Sequence, residues 1–229
     1  MFAEMVCRER NNMRISRIYF VVFVALMALI LANPASASSV TMTYKGHSGG
    51  ATGGSPYVGY PFNFSINGSS TLTPLMCDSF DNNISLGETW QATVTPFLQG
   101  VGLFGATTQL DYRAAGLIFK SMLAGTLTAN QAQWAVWGLF STNAQNNPFF
   151  TKIGAGAIDA TYLTLATTAS NGSYSGLVLY TPINGTQSGR GLPQEFIGYN
   201  AVPEPGTLTL LGTGLIGLAG AIRRKLAQA

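Results

Sequence analysis

The sequence predicts an α+β fold: one mixed domain of β-strands around a two- to three-helix insert, with an N-terminal signal helix and a C-terminal transmembrane helix. Three observations lead there. Apolar residues alternate in short runs near both ends of the middle region. Between those runs the apolar spacing becomes helical. Each terminus carries an apolar stretch beside basic residues, the composition of an address rather than of a core.

The predicted segments are 1–37, 38–202 and 203–229. In the first, Arg14 and Arg17 precede an apolar run from Ile18 to Ala32, and Asn33-Pro34 breaks that run before Ala35-Ser36-Ala37. These are the parts of a secretory signal cleaved after Ala37. Glu4 and Glu9 fit such a signal poorly, so both Met1 and Met13 stand as candidate starts.

In the last segment, Pro203-Glu204-Pro205-Gly206 leads into an apolar stretch from Thr207 to Ile222, followed by Arg223, Arg224 and Lys225. The stretch is shorter than the ~20 residues that cross a bilayer easily. Three consecutive bases beyond it would stop transfer on the cytoplasmic side. The prolines keep the preceding peptide extended and accessible. Gly212-Thr213-Gly214-Leu215-Ile216-Gly217 has the dinucleotide-binding spacing, but it follows no strand–helix unit, so helix packing in lipid is the better reading.

This tail resembles the PEP-CTERM sorting signal in order, spacing and position. The resemblance implies an exported protein delivered to the cell surface or extracellular matrix. Its processing partners would be signal peptidase and an exosortase, with transient anchoring in the inner membrane by the C-terminal helix.

The chain is 47% hydrophobic and only 9% charged, against roughly 25% charged in an average globular protein. In the middle segment six acids (Asp78, Asp81, Glu88, Asp111, Asp159, Glu195) face five bases (Lys45, Arg113, Lys120, Lys152, Arg190), with no basic cluster. Nucleic-acid binding, which needs clustered Lys and Arg on phosphates, is excluded as a class.

Within 38–202, Val40–Tyr44, Phe62–Ile66, Thr89–Phe97, Gly176–Tyr180 and Glu195–Tyr199 read as strands. From Asp111, a suitable N-cap, apolar residues at Tyr112, Ala115, Phe119 and Met122 predict a helix that Gly125 stops. Thr128 and Gln131 form a capping box for a second helix through Phe140. A third, weaker helix spans Gly156–Ala169.

Two residues in this region are out of place. Cys7 falls with the signal, so the mature chain keeps one cysteine, Cys77, and no internal disulfide is possible. Gln133 shares a helical face with Val136, Trp137 and Phe140, where an amide costs free energy unless its hydrogen bonds are met. Each has an ordinary explanation: a buried small thiol, and a glutamine bonded to backbone.

Together they carry a second resemblance. Leu75-Met76-Cys77-Asp78, with Gln133-Trp134-Ala135-Val136-Trp137 further on, is similar to the thioester domains of bacterial surface adhesins, although Met76 stands where those domains often have an aromatic residue. The resemblance implies that Cys77 is the thiol and Gln133 the acyl donor of an internal thioester, open to attack by surface amines and shielded from water by Trp134 and Trp137. Gln131 is the competing amide, already engaged as a cap.

Other chemistry has little support. His47 is the sole histidine, so neither a catalytic triad nor a multi-histidine metal site is expected. The run Asp78–Asn83 lacks EF-hand spacing and reads as a turn or solvated loop. No catalytic residue, metal or cofactor is expected, and the chain does not read as an enzyme. Two functions remain: a surface adhesin acting through Cys77 and Gln133, and a structural biofilm or exopolysaccharide-associated protein with no covalent chemistry. Matrix polysaccharide is a candidate partner for either.

Overall fold

The computed structural model describes residues 38–50, 57, 59–99, 101–184 and 191–199, with 213, 214 and 217 in the tail. Ala35–Ala201 forms one compact unit. The expected signal helix, Pro203, Glu204, Pro205, Arg223, Arg224 and Lys225 lie outside the described residues. Among the described residues no helix is long and apolar enough to cross a membrane.

Six strands, β1 (Ser38–His47), β2 (Phe62–Ile66), β3 (Leu72–Cys77), β4 (Thr89–Pro96), β5 (Leu177–Pro182) and β6 (Phe196–Tyr199), close into an antiparallel barrel in the order β1-β2-β3-β6-β5-β4. Between β4 and β5 run α1 (Gln109–Leu123), α2 (Ala129–Phe140), α3 (Thr142–Gln145), α4 (Pro148–Lys152) and α5 (Ala155–Thr168). The mixed architecture with a helical insert is as the sequence predicts. Closure into a barrel, β3, α3 and α4 are additions to it.

Cross-barrel contacts identify the inner face. Phe64 on β2 meets Trp90 on β4 at 5.6 Å and Phe196 on β6 at 4.6 Å between ring centroids. None of these strands is a neighbour of another in the sheet, so the rings meet through the interior. Register carries the assignment further: Phe62 pairs with Leu75 and Phe196 with Cys77. Side chains alternate along a strand, so Leu75 and Cys77 face inward with the rings. Met76 and its partner Ile197 face outward, yet both are fully buried, because the helices cover that side.

β3 escapes sequence reading because Pro74 interrupts it. The structure accommodates the proline where β6 is absent: β3 pairs with β6 only at Met76 and Cys77, so the missing N–H removes no bond of that ladder.

The helices follow ordinary signals. Thr128 accepts from the Gln131 backbone N–H at 3.3 Å, and the Gln131 side chain accepts from the Thr128 N–H at 3.1 Å. This is the expected capping box. It leaves Gln133, rather than Gln131, free to point inward. α1 begins two residues before the expected Asp111, at Gln109, and its N-cap Thr108 makes no side-chain cap bond. Asp111 instead sits in the first turn, where a negative charge suits the helix dipole. Gly125, at φ +76°, takes the left-handed conformation that ends this helix.

Arg113 and Lys120 tie α1 to the return segment. Arg113 donates through Nε to the Ala166 carbonyl at 3.0 Å and through Nη2 to the Ala169 carbonyl. Its guanidinium lies 4.9 Å from the Tyr174 ring centroid. Lys120 donates to the carbonyls of Ser173 and Ser175 at 2.9 and 3.1 Å.

Candidate functional site

The last inward-facing residue of β3 is Cys77, and α2 packs against this end of the barrel. Cys77, Gln133 and Trp134 are fully buried and Trp137 is 4% exposed. The fold thus brings together two residues 56 positions apart: Gln133 Nε2 donates to the Cys77 backbone carbonyl at 2.6 Å. Trp137 Nε1 donates to Cys77 Sγ at 3.5 Å, and the thiol donates to the Ser79 carbonyl at 3.5 Å. Gln133 Oε1 is buried and accepts no hydrogen bond.

Burial pushes the Cys77 thiol up to about 12, and the neighbouring Asp78 carboxyl acts in the same direction. In an apolar niche the thiolate loses its hydration, and two weak sulfur hydrogen bonds do not replace it. The resting sulfur is therefore a thiol.

Aromatic rings cluster around Trp134 and Trp137. Trp134 and Trp137 meet edge-on at 5.2 Å, and Phe80 lies 5.7 Å from Trp134 and 5.3 Å from Trp137. Tyr57 stacks on Phe80 at 5.1 Å. Phe149 on α4 approaches Trp134 at 5.6 Å. Phe80, Tyr57 and Phe149 join the two tryptophans that the sequence singles out.

On the outward, helix-facing side of the same strand end lies a cluster that the sequence does not reveal. Asp78 is no part of a solvated loop: it is fully buried, as is Glu195, and Ser79 is 1% exposed. The Asp78 N–H donates to the Glu195 carbonyl, extending the β3–β6 ladder, and the Glu195 N–H donates to Ser79 Oγ at 2.8 Å. The Glu195 carboxylate accepts from Tyr112 Oη at 2.5 Å, Thr181 Oγ1 at 2.5 Å and the Leu103 N–H at 2.8 Å.

Neither Asp78 oxygen has a donor to accept from. Burial holds the Asp78 carboxyl well above the ordinary carboxylate range, and the adjacent Glu195 carboxylate raises it further. Burial raises Glu195 too, but its donors oppose that shift. Two carboxyls in one dry site cannot both ionise. Burial therefore favours the protonated form at Asp78 and the charge at Glu195, at which three donors point. The only sequence signal for this cluster was Glu195 at the start of a predicted strand, since Asp78 reads as part of a turn or solvated loop.

A third buried acid, Asp159 on α5, is pushed up to about 8 by burial and by Asp111. It packs at Gly138 of α2, where a Cβ would collide with the Phe150 ring and come within 2.7 Å of Asp159 Oδ2. Among the described residues no group of three His, Cys, Asp or Glu side chains could hold a metal ion.

Residues 201–225 match the PEP-CTERM protein-sorting motif. No curated protein and no solved structure matches the chain. The motif, covering the stretch where Pro-Glu-Pro precedes the apolar span, marks the chain as exported to the surface with an exosortase as its processing partner.

Proposed function

We propose that the folded unit is an adhesive module that attaches covalently through an internal thioester between Cys77 and Gln133. The observation that supports this most directly is the contact of the Gln133 carboxamide with residue Cys77: an amide nitrogen at 2.6 Å from the cysteine carbonyl and an amide oxygen with no partner. An unsatisfied buried carbonyl normally costs ~1–3 kcal/mol, and its presence beside a solitary buried thiol calls for a reason.

The chemistry balances without a cofactor. Cys77 Sγ attacks the Gln133 side-chain carbon, the C–N bond breaks, the thiol proton passes to the departing nitrogen, and ammonia leaves. Direct proton transfer suits a thiol held at about 12, because free thiolate is scarce. The aromatic cover then protects the activated acyl group from water until a nucleophile attacks it. The chain acts once as an acyl donor and does not turn over as an enzyme.

Intact mass of the mature protein tests this. Loss of one ammonia, abolished by Cys77→Ala and by Gln133→Ala, is the expected result. A full-mass wild-type chain that takes up no methylamine overturns it. Thiol labelling of the native protein does not discriminate, since burial alone blocks Cys77.

One observation favours the second reading, a structural matrix component. The Gln133 nitrogen already satisfies the Cys77 carbonyl, which is what a non-covalent clip between α2 and the barrel end would do. The same mass measurement separates the two.

A further inference from the structure

β6 ends at Tyr199, and the matched sorting motif begins at residue 201. A tether formed at or beyond that motif therefore pulls on the folded unit through β6. The registers fix what such a pull meets. Ile66 opposes Met42, Leu75 opposes Phe62 and Phe196 opposes Cys77, all in antiparallel pairs. The rim at which β6 ends thus also holds the starts of β1 and β3. Phe196, Cys77 and the connection from β3 to β4 lie at the far rim. Tension on Tyr199 draws β6 away from the far rim, between β3 and β5.

The strand itself offers a small grip. It pairs with β5 at four positions and with β3 at two. Ladder bonds lie across antiparallel strands, so an axial pull strains them together. Further bonds gather on the residues just upstream of β6, at the far rim. The Glu195 carbonyl accepts from the Asp78 N–H at 3.3 Å, and the Glu195 N–H donates to Ser79 Oγ at 2.8 Å. Its carboxylate takes the donors from α1, β5 and Leu103. Gln194 Nε2 donates to the carbonyls of Asn82 and Ser79, at 2.5 and 3.3 Å. Asn82 Nδ2 in turn donates to the Leu192 carbonyl at 2.8 Å.

We infer that Leu192–Glu195 is a mechanical clamp: it holds β6 by its upstream end when the protein is pulled through its C-terminal tether. The bonds at the far rim oppose withdrawal of the strand, and the ladders to β3 and β5 shear together with them. Burial of Glu195 and Gln194 keeps water from exchanging into those bonds. The clamp needs no thioester. It depends on the direction of the pull, because tension that separates strands at the near rim breaks ladder pairs one after another before it reaches residue 195.

Constant-force tweezers on the mature protein test this, with one handle at the C-terminus and the other on an introduced exposed cysteine. Leu86→Cys, in the β3–β4 connection, sets the second handle at the far rim and shears β6; Ser38→Cys sets it at the near rim and peels the barrel. Cys77 is buried and stays unlabelled. At equal force the sheared geometry is expected to last longer. Glu195→Gln should shorten the sheared lifetime about tenfold and change the peeled lifetime less than about twofold. Asn82→Ala removes the bond to Leu192 alone; it should shorten the sheared lifetime about threefold, and it carries the test if Glu195→Gln does not fold. Equal wild-type lifetimes in the two geometries overturn the inference. So does equal shortening of both lifetimes by a variant, which would make Leu192–Glu195 a stabilising contact without direction.

Discussion

Cys77 and Asp78 are neighbours in sequence and occupy two opposite chemical worlds. Cys77 faces into the barrel end, where the Gln133 amide bonds its backbone carbonyl and an indole and the Ser79 carbonyl contact its sulfur. Asp78 faces the helices, where the Glu195 carboxylate and its donors from α1, β5 and the Leu103 backbone surround it. Both sites hold unsatisfied oxygens, the Gln133 amide oxygen in the first and the two Asp78 oxygens in the second. The second collects three donors on one carboxylate. The difference teaches that the strand end is held from its outer side by the donors on Glu195, while the inner side is held by one amide bond and weak sulfur contacts.

The largest expected effect tests that division. Glu195→Ala strands Tyr112, Thr181 and the Leu103 N–H without their acceptor, so urea denaturation should report a loss of about 3–5 kcal/mol. A loss below about 1 kcal/mol would mean that the outer site does not hold the strand end.

Next comes Gly102→Ala. A Cβ there would collide with Tyr112 Oη and lie 2.9 Å from Glu195 Oε2. Displacing the phenol should cost about 1–3 kcal/mol, and a wild-type midpoint would show that the loop moves aside freely.

Asp159 asks whether a carboxyl that holds its proton to higher pH is particular to the strand end. Its carboxyl titrates near 8 when folded and near 3.8 otherwise. Between those values the unfolded chain has released a proton that the folded chain still holds, so stability is full at acid pH and declines as pH rises toward 8. Asp159→Asn should remove that decline, which is at most about 1.4 kcal/mol for each pH unit between the two values. Whatever downward slope remains reports the other carboxyls that burial raises, Asp78, Glu195 and Asp111. A slope identical to wild type would show that Asp159 is not the titrating group.

Gln133→Leu should have the smallest effect on stability, about 1 kcal/mol, because losing the bond to the Cys77 carbonyl is partly offset by removing an orphan oxygen. A loss as large as that of Glu195→Ala would make the inner site a structural clip and erase the contrast.

Most strands, the three longer helices and the identity of Cys77 and Gln133 were legible because each breaks or keeps a local pattern. Thr128 and Gln131 announce a helix start through bonds made within four residues. Gln133 stands out because an amide interrupts an apolar stripe. β3 was hidden, because Pro74 argues against a strand unless one knows that β6 falls short of it. Asp78 and Glu195 were hidden for a stronger reason: they lie far apart in the chain, and acids near loops usually meet water.

Sequence alone determined the C-terminal sorting motif, five of the six strands and the three longer helices, since these depend on composition and on neighbours along the chain. Tertiary structure decided that the sheet closes, that the Gln133 amide meets the Cys77 carbonyl beside aromatic rings, and that Asp78 and Glu195 are buried together. Such outcomes depend on which distant groups share a space without water, where the cost of an unpaired charge or amide depends on every atom around it.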